Sequence, residues 1–357
     1  MRAVSKQRLS RLLIGAGLTC ITAAWGADQS AAPGVAACDK PVYLTFDTGH
    51  MSVAPFIAEV LEREKIRATF FMANEPTRTG GMSLDDTWAP WWKKMAEQGH
   101  VFASHTFDHV YWLADLPENQ FKVRPSSGPD AGRVQVWSAQ QYCDELARVD
   151  SRFEQITGRQ TLPLFRAPGG KTSPDLIQAG ASCGYAHVGW SPAGFLGDEL
   201  PSAQYPNAAL LDRALKNIRP GDILMAHLGI WSRQDPWAPA VLEPLISGLK
   251  QKGFCFATID RHPDYQAWVK KYARSPSVDT VFDASPNTTS DSQAEPDDAA
   301  DMMSYVSEKE SALEIDGKIE TEIQSETQTE DSPKDSAEPQ PGITLLDIST
   351  EKTTQHE

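Results

Sequence analysis

Hydrophobic residues fall in short blocks that alternate between two spacings along most of the chain. Val42-Tyr43-Leu44-Thr45-Phe46 is a β-branched and aromatic block, which predicts a buried strand. Between Ala54 and Glu64 the apolar residues fall at Phe56, Ile57, Val60 and Leu61, the spacing of one helix face. The alternation continues. Strands are predicted over Ala68–Met72, His100–Ser104, Leu162–Arg166, Tyr185–Trp190, Asp222–His227 and Phe254–Ile259. Helices are predicted over Trp91–Gln98, Ser138–Thr157, Pro174–Cys183, Leu210–Ile218 and Ala240–Lys252, the first two stopped by Gly99 and Gly158. Strictly alternating elements imply parallel strands with the helices outside. About seven such units suit an α/β barrel better than two open sheets. Residues 113–137 read as a long polar loop rich in Pro and Gly, a candidate lid.

The two ends break this pattern. Arg2, Lys6, Arg8 and Arg11 precede a short apolar run from Leu12 to Ala24, which predicts a signal peptide over residues 1–27. The run falls short of the about 20 residues of a spanning helix, so no stable membrane span is expected once it is removed. An uncleaved anchor is the alternative. A short linker over 28–38 follows, then the barrel over 39–274. From 275 to 357 Ser, Thr, Asp, Glu, Gln and Pro dominate, which predicts a disordered acidic tail. That tail holds most of the acid excess behind the formal net charge of −15. The barrel is therefore near neutral and offers no basic face for nucleic acid.

An exported chain is expected to be periplasmic or secreted. Val35-Ala36-Ala37-Cys38 allows a second reading, a lipoprotein anchored at Cys38. Of the five cysteines, Cys20 would leave with the signal and four remain. In a closed barrel the first and last strands are neighbours, which favours Cys38–Cys255 with Cys143–Cys183. Four buried free thiols remain open as the alternative.

Residues suited to catalysis recur at the C-terminal ends of the predicted strands, where barrel enzymes assemble their sites. Thr45-Phe46-Asp47-Thr48-Gly49-His50 leaves the first, and His105-Thr106-Phe107-Asp108-His109 leaves the third. Phe165-Arg166-Ala167-Pro168-Gly169-Gly170, Trp190-Ser191-Pro192 and Leu224-Met225-Ala226-His227 follow. His105 and His109 are four apart, a spacing that on a helical turn aims both imidazoles at one ion.

Together the five motifs resemble the polysaccharide deacetylase family (NodB-like, carbohydrate esterase family four), over roughly residues 39 to 262. The resemblance implies an irregular (β/α) barrel and a divalent metal, zinc foremost, held by an Asp and two His. It implies hydrolysis of an N-acyl, in the first instance acetyl, group from an amino sugar in a polysaccharide or glycan. Carried over by position, His105 and His109 are metal ligands, Asp47 is the base, Arg166 orients Asp47, Trp190 walls the catalytic imidazole, and His227 is the acid. Amide cleavage needs those roles, because the carbonyl is unreactive and the amine leaves poorly.

Two slots depart from the family pattern. The metal-binding acid of the first motif is replaced by Thr48, and the two acids before Trp190 by Ala186 and Gly189. Asp47 itself is the first choice for a third ligand, since a carboxylate beside two imidazoles suits zinc. Thr48, His50 and Asp108 are the others. Asp198 or Asp212 is expected to take over the orientation of His227. Formamido-sugar deformylases also show Asp-Thr at the first motif, so a deformylase or an O-deacetylase using the same site is a second reading. A non-catalytic carbohydrate-binding barrel is a third. Trp88, Trp91, Trp92, Tyr111, Trp112, Trp231 and Trp237 lie in the loops near the motifs, and such rings can stack on sugars. Trp190, Pro168, Gly169, Tyr111, Trp112 and Trp231 are the substrate-contacting candidates.

Overall fold

A computed structural model of the protein describes residues 38–273. The expected signal peptide, nearly all of the linker and the acidic tail lie outside those residues. The elements run β1 (Pro41–Asp47), α1 (Ala54–Glu64), β2 (Thr69–Met72), α2 (Ala89–Glu97), β3 (Val101–Ser104), β4 (Val110–Leu116), β5 (Gln120–Pro125), β6 (Gln135–Ser138) and α3 (Ala139–Thr157). They continue β7 (Leu164–Phe165), α4 (Pro174–Ser182), β8 (Ala186–His187), α5 (Asn207–Asn217), β9 (Ile223–His227), α6 (Trp237–Gln251), β10 (Cys255–Ala257) and α7 (Pro263–Tyr272).

The seven strands other than β4–β6 form one parallel sheet, β10-β1-β2-β3-β7-β8, with β9 paired to β1. The sheet curls back on itself. Beyond β8, Ser191 donates its N–H to Ile223 O at 3.0 Å and Phe195 bridges Met225, so this segment joins β8 to β9. This is the α/β barrel expected from the alternation, in the irregular (β/α) form that the family resemblance implies.

Period-two side-chain alternation explains why β1 is buried on both faces. Val42, Leu44 and Phe46 pack outward against the helices in the main core, with Ile57, Leu61, Phe70, Leu242 and Leu245. Each such side chain contributes about 1.5–3 kcal/mol by leaving water. Tyr43, Thr45 and Asp47 have the opposite parity and face the barrel interior, as do Phe71 on β2 and Ile223 on β9. Inward parity at the last residue of β1 and of β9 brings polar groups to the barrel mouth.

The structure corrects one expectation about the fold. Residues 113–137 are not one free loop: the stretch runs through β4, β5 and β6, a three-stranded antiparallel sheet, with turns between them. In β5, Phe121, Val123 and Pro125 are buried while Lys122 and Arg124 are exposed. Phe121 and Val123 pack against Tyr142 and Leu146 of α3. That alternation is a strand signal, which the surrounding Pro and Gly residues obscured. Glu118 and Asn119, both at positive φ, turn the chain between β4 and β5.

Both preferred disulfides are present. Cys38–Cys255 joins the entry of β1 to β10, where Pro41 and Cys255 are register partners. Cys143–Cys183 joins α3 to the end of α4. Their Cα separations are 6.0 and 6.1 Å, within the normal range.

Candidate active site

Arg166, just past the end of β7, is fully buried inside the barrel and organises the site. Its Nη1 donates to Asp47 Oδ1 at 2.7 Å and to Thr45 Oγ1 at 2.9 Å. Its Nε and Nη2 donate to the carbonyls of Val188 and Gly189, both at 3.1 Å. The guanidinium also lies 4.1 Å from the centre of the Phe71 ring and 5.5 Å from that of Trp190. Burial works against the Asp47 carboxylate. The Arg166 charge first, then that of His227 and the Arg166 hydrogen bond, outweigh it and hold Asp47 below its ordinary value.

His227 is the register partner of Asp47 across β1 and β9. Asp198 accepts from the His227 backbone N–H at 2.7 Å and lies 3.1 Å from its Nδ1. Of the two acids named from the sequence, it is Asp198 and not Asp212 that is hydrogen-bonded to His227. That pairing leaves Nε2 as the free ring nitrogen. Burial disfavours the imidazolium. The charge and hydrogen bond of Asp198, helped by Glu199 and Asp47, overcome it and raise His227 to about 10. Glu199 is itself raised, by burial first, against the pull of His227 and with Asp198 and Asp47 adding to the rise.

His105 and His109 do not sit on a helical turn. Thr106 and His109 have φ of +59° and +47°, so the chain doubles back and brings the rings to 5.0 Å between centres. Their hydrogen bonds fix matching tautomers. His105 Nδ1 is 2.8 Å from Arg166 O, an acceptor, so Nδ1 carries the proton. Ser126 Oγ gives its hydrogen to His109 O at 3.1 Å and therefore accepts from His109 Nδ1, 2.6 Å away. In both rings Nε2 is left outside these hydrogen bonds. Burial, opposed by the Asp47 charge, lowers His105 to about 4, so it is neutral near pH 7. Its Nε2 lone pair then faces the Asp47 carboxylate at 3.6 Å.

The other ligand candidates are otherwise engaged. Thr48 Oγ1 donates to Glu75 Oε2 at 2.6 Å and accepts from Ala73 N–H at 3.0 Å. His50 Nε2 lies 3.0 Å from Ile230 O and must donate, while Nδ1 accepts from Ser52 N–H at 3.2 Å. Asp108 turns away to Arg148, 2.8 Å off on α3. Among the described residues, no three His, Cys, Asp or Glu side chains already stand together as a metal cluster.

Glu75, three residues past β2, is a site residue that the sequence analysis missed. Its Oε2 accepts from Thr48 Oγ1 and from Gly49 N–H, each at 2.6 Å. Burial would raise its pKa, but His109 and the hydrogen bonds from Thr48 and Gly49 hold it low. A carboxylate thus faces the histidine pair from the side where the first motif lacks its acid. The available signal was its position, an acid just beyond a barrel strand.

The proposed saccharide contacts divide in two. Tyr111 packs edge-on against His109 at 5.0 Å, and a Cβ on Gly169 would come within 2.9 Å of the Tyr111 ring, so both belong to the site. Pro168 is buried beside them and Trp190 stacks on Phe195. Trp231 stands exposed at the mouth of a cavity of about 430 Å³ that His227 also lines. Trp112 is not brought to the site. It follows Tyr111 in β4, points to the opposite face, and packs with the core between β4–β6 and α3. Trp88, Trp91 and Trp92 pack around Phe70 or on one another, and Trp237 is buried at the start of α6.

Comparison with known proteins agrees with the motifs. The family model described as "Polysaccharide deacetylase" matches residues 34–188. A peptidoglycan-N-acetylmuramic acid deacetylase of Bacillus subtilis is 29% identical over 223 residues, 62% of this chain and 71% of that protein. A chitooligosaccharide deacetylase of Azorhizobium caulinodans is 28% identical over 230 residues, 60% of this chain and 90% of that protein. Among solved structures, a family 4 acetyl xylan esterase from Clostridium thermocellum in complex with a cobalt ion superposes with a TM-score of 0.48 at 21% identity. That match covers 67% of this chain and 96% of the esterase.

Proposed function

Because this chain belongs to the polysaccharide deacetylase family, and so is a hydrolase of carbon–nitrogen bonds other than peptide bonds, we propose that it removes an N-acetyl group from an amino sugar of a glycan, with Asp47 as base and His227 as acid. The reading rests chiefly on one observation. A carboxylate held ionised and an imidazole held protonated are register neighbours at the barrel mouth. Groups whose surroundings drive their pKa values apart are suited to complementary proton transfers.

The donors here suit a divalent cation. The neutral His105 imidazole turns its bare Nε2 to a carboxylate oxygen at 3.6 Å, and the His109 ring lies 5.0 Å from it with its Nδ1 on Ser126. Two lone pairs opposed in a buried place repel unless a cation lies between them, and two ligands of one tetrahedral zinc stand about 3.4 Å apart. His105, His109 and Asp47 would hold it, with Glu75 the nearest further carboxylate. Bound there, the ion supplies a more acidic water and a polarised acyl carbonyl.

Asp47 takes one proton from water, whose oxygen bonds to the acyl carbon. Arg166 holds the carboxylate in place through that transfer. His227 gives its Nε2 proton to the sugar nitrogen as the carbon–nitrogen bond breaks, releasing acetate and a free amine. Asp198 stabilises the imidazolium before the transfer and fixes its orientation. Tyr111 and Trp190 wall the space. We also place the protein outside the cytoplasm, periplasmic or secreted. Two disulfides, one of them using Cys38, suit an oxidising compartment.

The test is acetate release from N-acetylglucosamine oligomers and from peptidoglycan, with chelated and zinc-restored protein, and with Asp47→Asn and His227→Ala. The reading requires loss with chelator and about 10²-fold or greater loss in each variant. Release that survives both substitutions would sink it. Formate release from N-formyl sugars, or acetate from O-acetyl esters alone, would move the reaction to those substrates.

A further inference from the structure

Past β2 the chain makes a small closed loop that carries Arg78 over the cavity beside His227. The loop is rigidly held. Pro76 bridges Met82, Thr77 N–H donates to Gly81 O at 3.0 Å, and Ser83 N–H donates to Glu75 O at 2.8 Å. Arg78 N–H donates to His50 O at 3.0 Å, which fixes the root of the side chain. The guanidinium lies 5.1 Å from the centre of the Trp231 ring and 3.4 Å from His50 Nε2.

That last contact is not a hydrogen bond. His50 Nε2 already donates its proton to Ile230 O, and Nδ1 accepts from Ser52, so Arg78 meets a donor. Burial, with the Arg78 charge next, lowers the His50 pKa, so the ring is neutral and adds no opposing charge. Among the described residues Arg78 has no carboxylate partner. The cavity's other arginine, Arg233, is spent on Leu200 O, Tyr205 O and Asn207 Oδ1. Arg78 therefore offers a planar, unpaired set of donors, pre-positioned by a stacking interaction, in the cavity that His227 and Trp231 also line.

We propose that Arg78 and Trp231 form a subsite for a carboxylate-bearing sugar unit at or next to the one that is deacylated. This rests on the deacetylation reading for the position of the acyl group, though the subsite itself does not depend on it. The guanidinium fork matches a carboxylate through two parallel hydrogen bonds. The Trp231 ring, 58% exposed, offers a flat face to a pyranose. The cavity volume of about 430 Å³ falls in the usual range for small-ligand sites. Asp198 lines the same cavity and Glu199 follows it in sequence. These acids favour one negative charge held at the Arg78 end over a more highly charged group such as a phosphate.

The probe is a β-1,4-linked oligomer of N-acetylated amino sugars carrying a 3-O-carboxyalkyl ether, as free acid and as methyl ester. Calorimetric titration of the intact protein reads binding without needing turnover, and KM for acetate release reads it again. The free acid should bind about tenfold or more tightly than the ester, and Arg78→Gln should bring the ratio close to one. Arg78→Lys should restore only part of it, because an ammonium lacks the fork. Trp231→Ala should weaken both ligands alike. Equal binding of acid and ester to the native protein, or a ratio that survives Arg78→Gln, overturns the subsite. Discrimination by Arg78 without acetate release from either oligomer upholds the subsite and defeats the reaction assigned to it.

Discussion

Asp198→Asn isolates the charge that keeps His227 protonated. The substitution keeps the shape and removes the negative charge. Asp198 is the leading influence raising His227 to about 10, and burial alone would push the ring below its ordinary 6.5. Glu199 and Asp47 still act against burial, so the variant is taken at the ordinary imidazole value of about 6.5. At pH 8 the protonated fraction then falls from about 0.99 to about 0.03, a loss of roughly 30-fold in the acid, whereas at pH 6 about three quarters remains. The defect should grow about tenfold per pH unit above neutrality until the native protein begins to titrate. The amide also presents an NH₂ where Asp198 accepted from both the backbone N–H and the ring. One misplaced donor costs about 1–3 kcal/mol, so folding should be weakened and not lost. The assay is kcat from pH 5.5 to 9.5, with both proteins in the same metal state because a cation near Asp47 also lowers His227. NMR titration of the His227 ring gives the same answer without turnover. Equal losses at pH 6 and pH 8, or an unmoved alkaline limb, would refute the assignment of His227 as the acid tuned by Asp198.

Four further outcomes are expected. Arg166→Met leaves Asp47 buried without its partner and should cost about 3–5 kcal/mol, read by denaturant unfolding. The metal-free protein should lose stability as pH rises towards and through about 10. The folded His227 value lies above the unfolded one, so its contribution is fully present below about 6.5 and is lost as the folded imidazolium deprotonates, which melting temperatures from pH 6 to 10.5 would register. His105→Ala and Glu75→Gln should each weaken binding of cobalt, the first by more than 10-fold, followed by visible absorption. Cys143→Ser opens the Cys143–Cys183 bridge, with a sequence separation of 40, and should cost about 2–4 kcal/mol in thermal unfolding under non-reducing conditions.

The elements that bury both faces were the most legible. β1, β2, β3 and β9 read as continuous apolar blocks because helices cover one side and the barrel interior the other. Their boundaries fall within a residue or two of the expected ones. The antiparallel sheet was not legible as such. β4 is partly exposed along most of its length and β5 alternates over only six residues, so neither gives the dense block of a core strand. Asp47, Arg166 and His227 could be placed from the sequence because each ends or follows a predicted strand and matches the family's motif by position, and in the structure each also has the inward parity. Trp112 was misplaced for the same reason inverted. It is adjacent to Tyr111, and adjacent residues in a strand face opposite ways.

The least legible feature is the compensation at Thr48. Read along the chain, Thr48 is a missing acid, and the candidates to replace it are its neighbours His50 and Asp108. In the folded chain β1 and β2 run in parallel register, with Asp47 opposite Phe71. The residues leaving both strands therefore emerge side by side. Glu75, 27 positions away, then reaches the Thr48 hydroxyl and Gly49 N–H. A hydroxyl in place of a carboxylate does not merely delete charge. It supplies a donor, and that donor, with Gly49 N–H, anchors a carboxylate arriving from the adjacent strand. The pairing makes Thr48 and Glu75 one unit. Restoring the acid by Thr48→Asp should harm the protein while Glu75 is present, since two buried carboxylates would share one place. Thr48→Asp with Glu75→Gln relieves that repulsion, and the double variant should recover stability and cobalt affinity relative to Thr48→Asp alone. Additive effects of the two substitutions in both measurements would show that the strands deliver them independently.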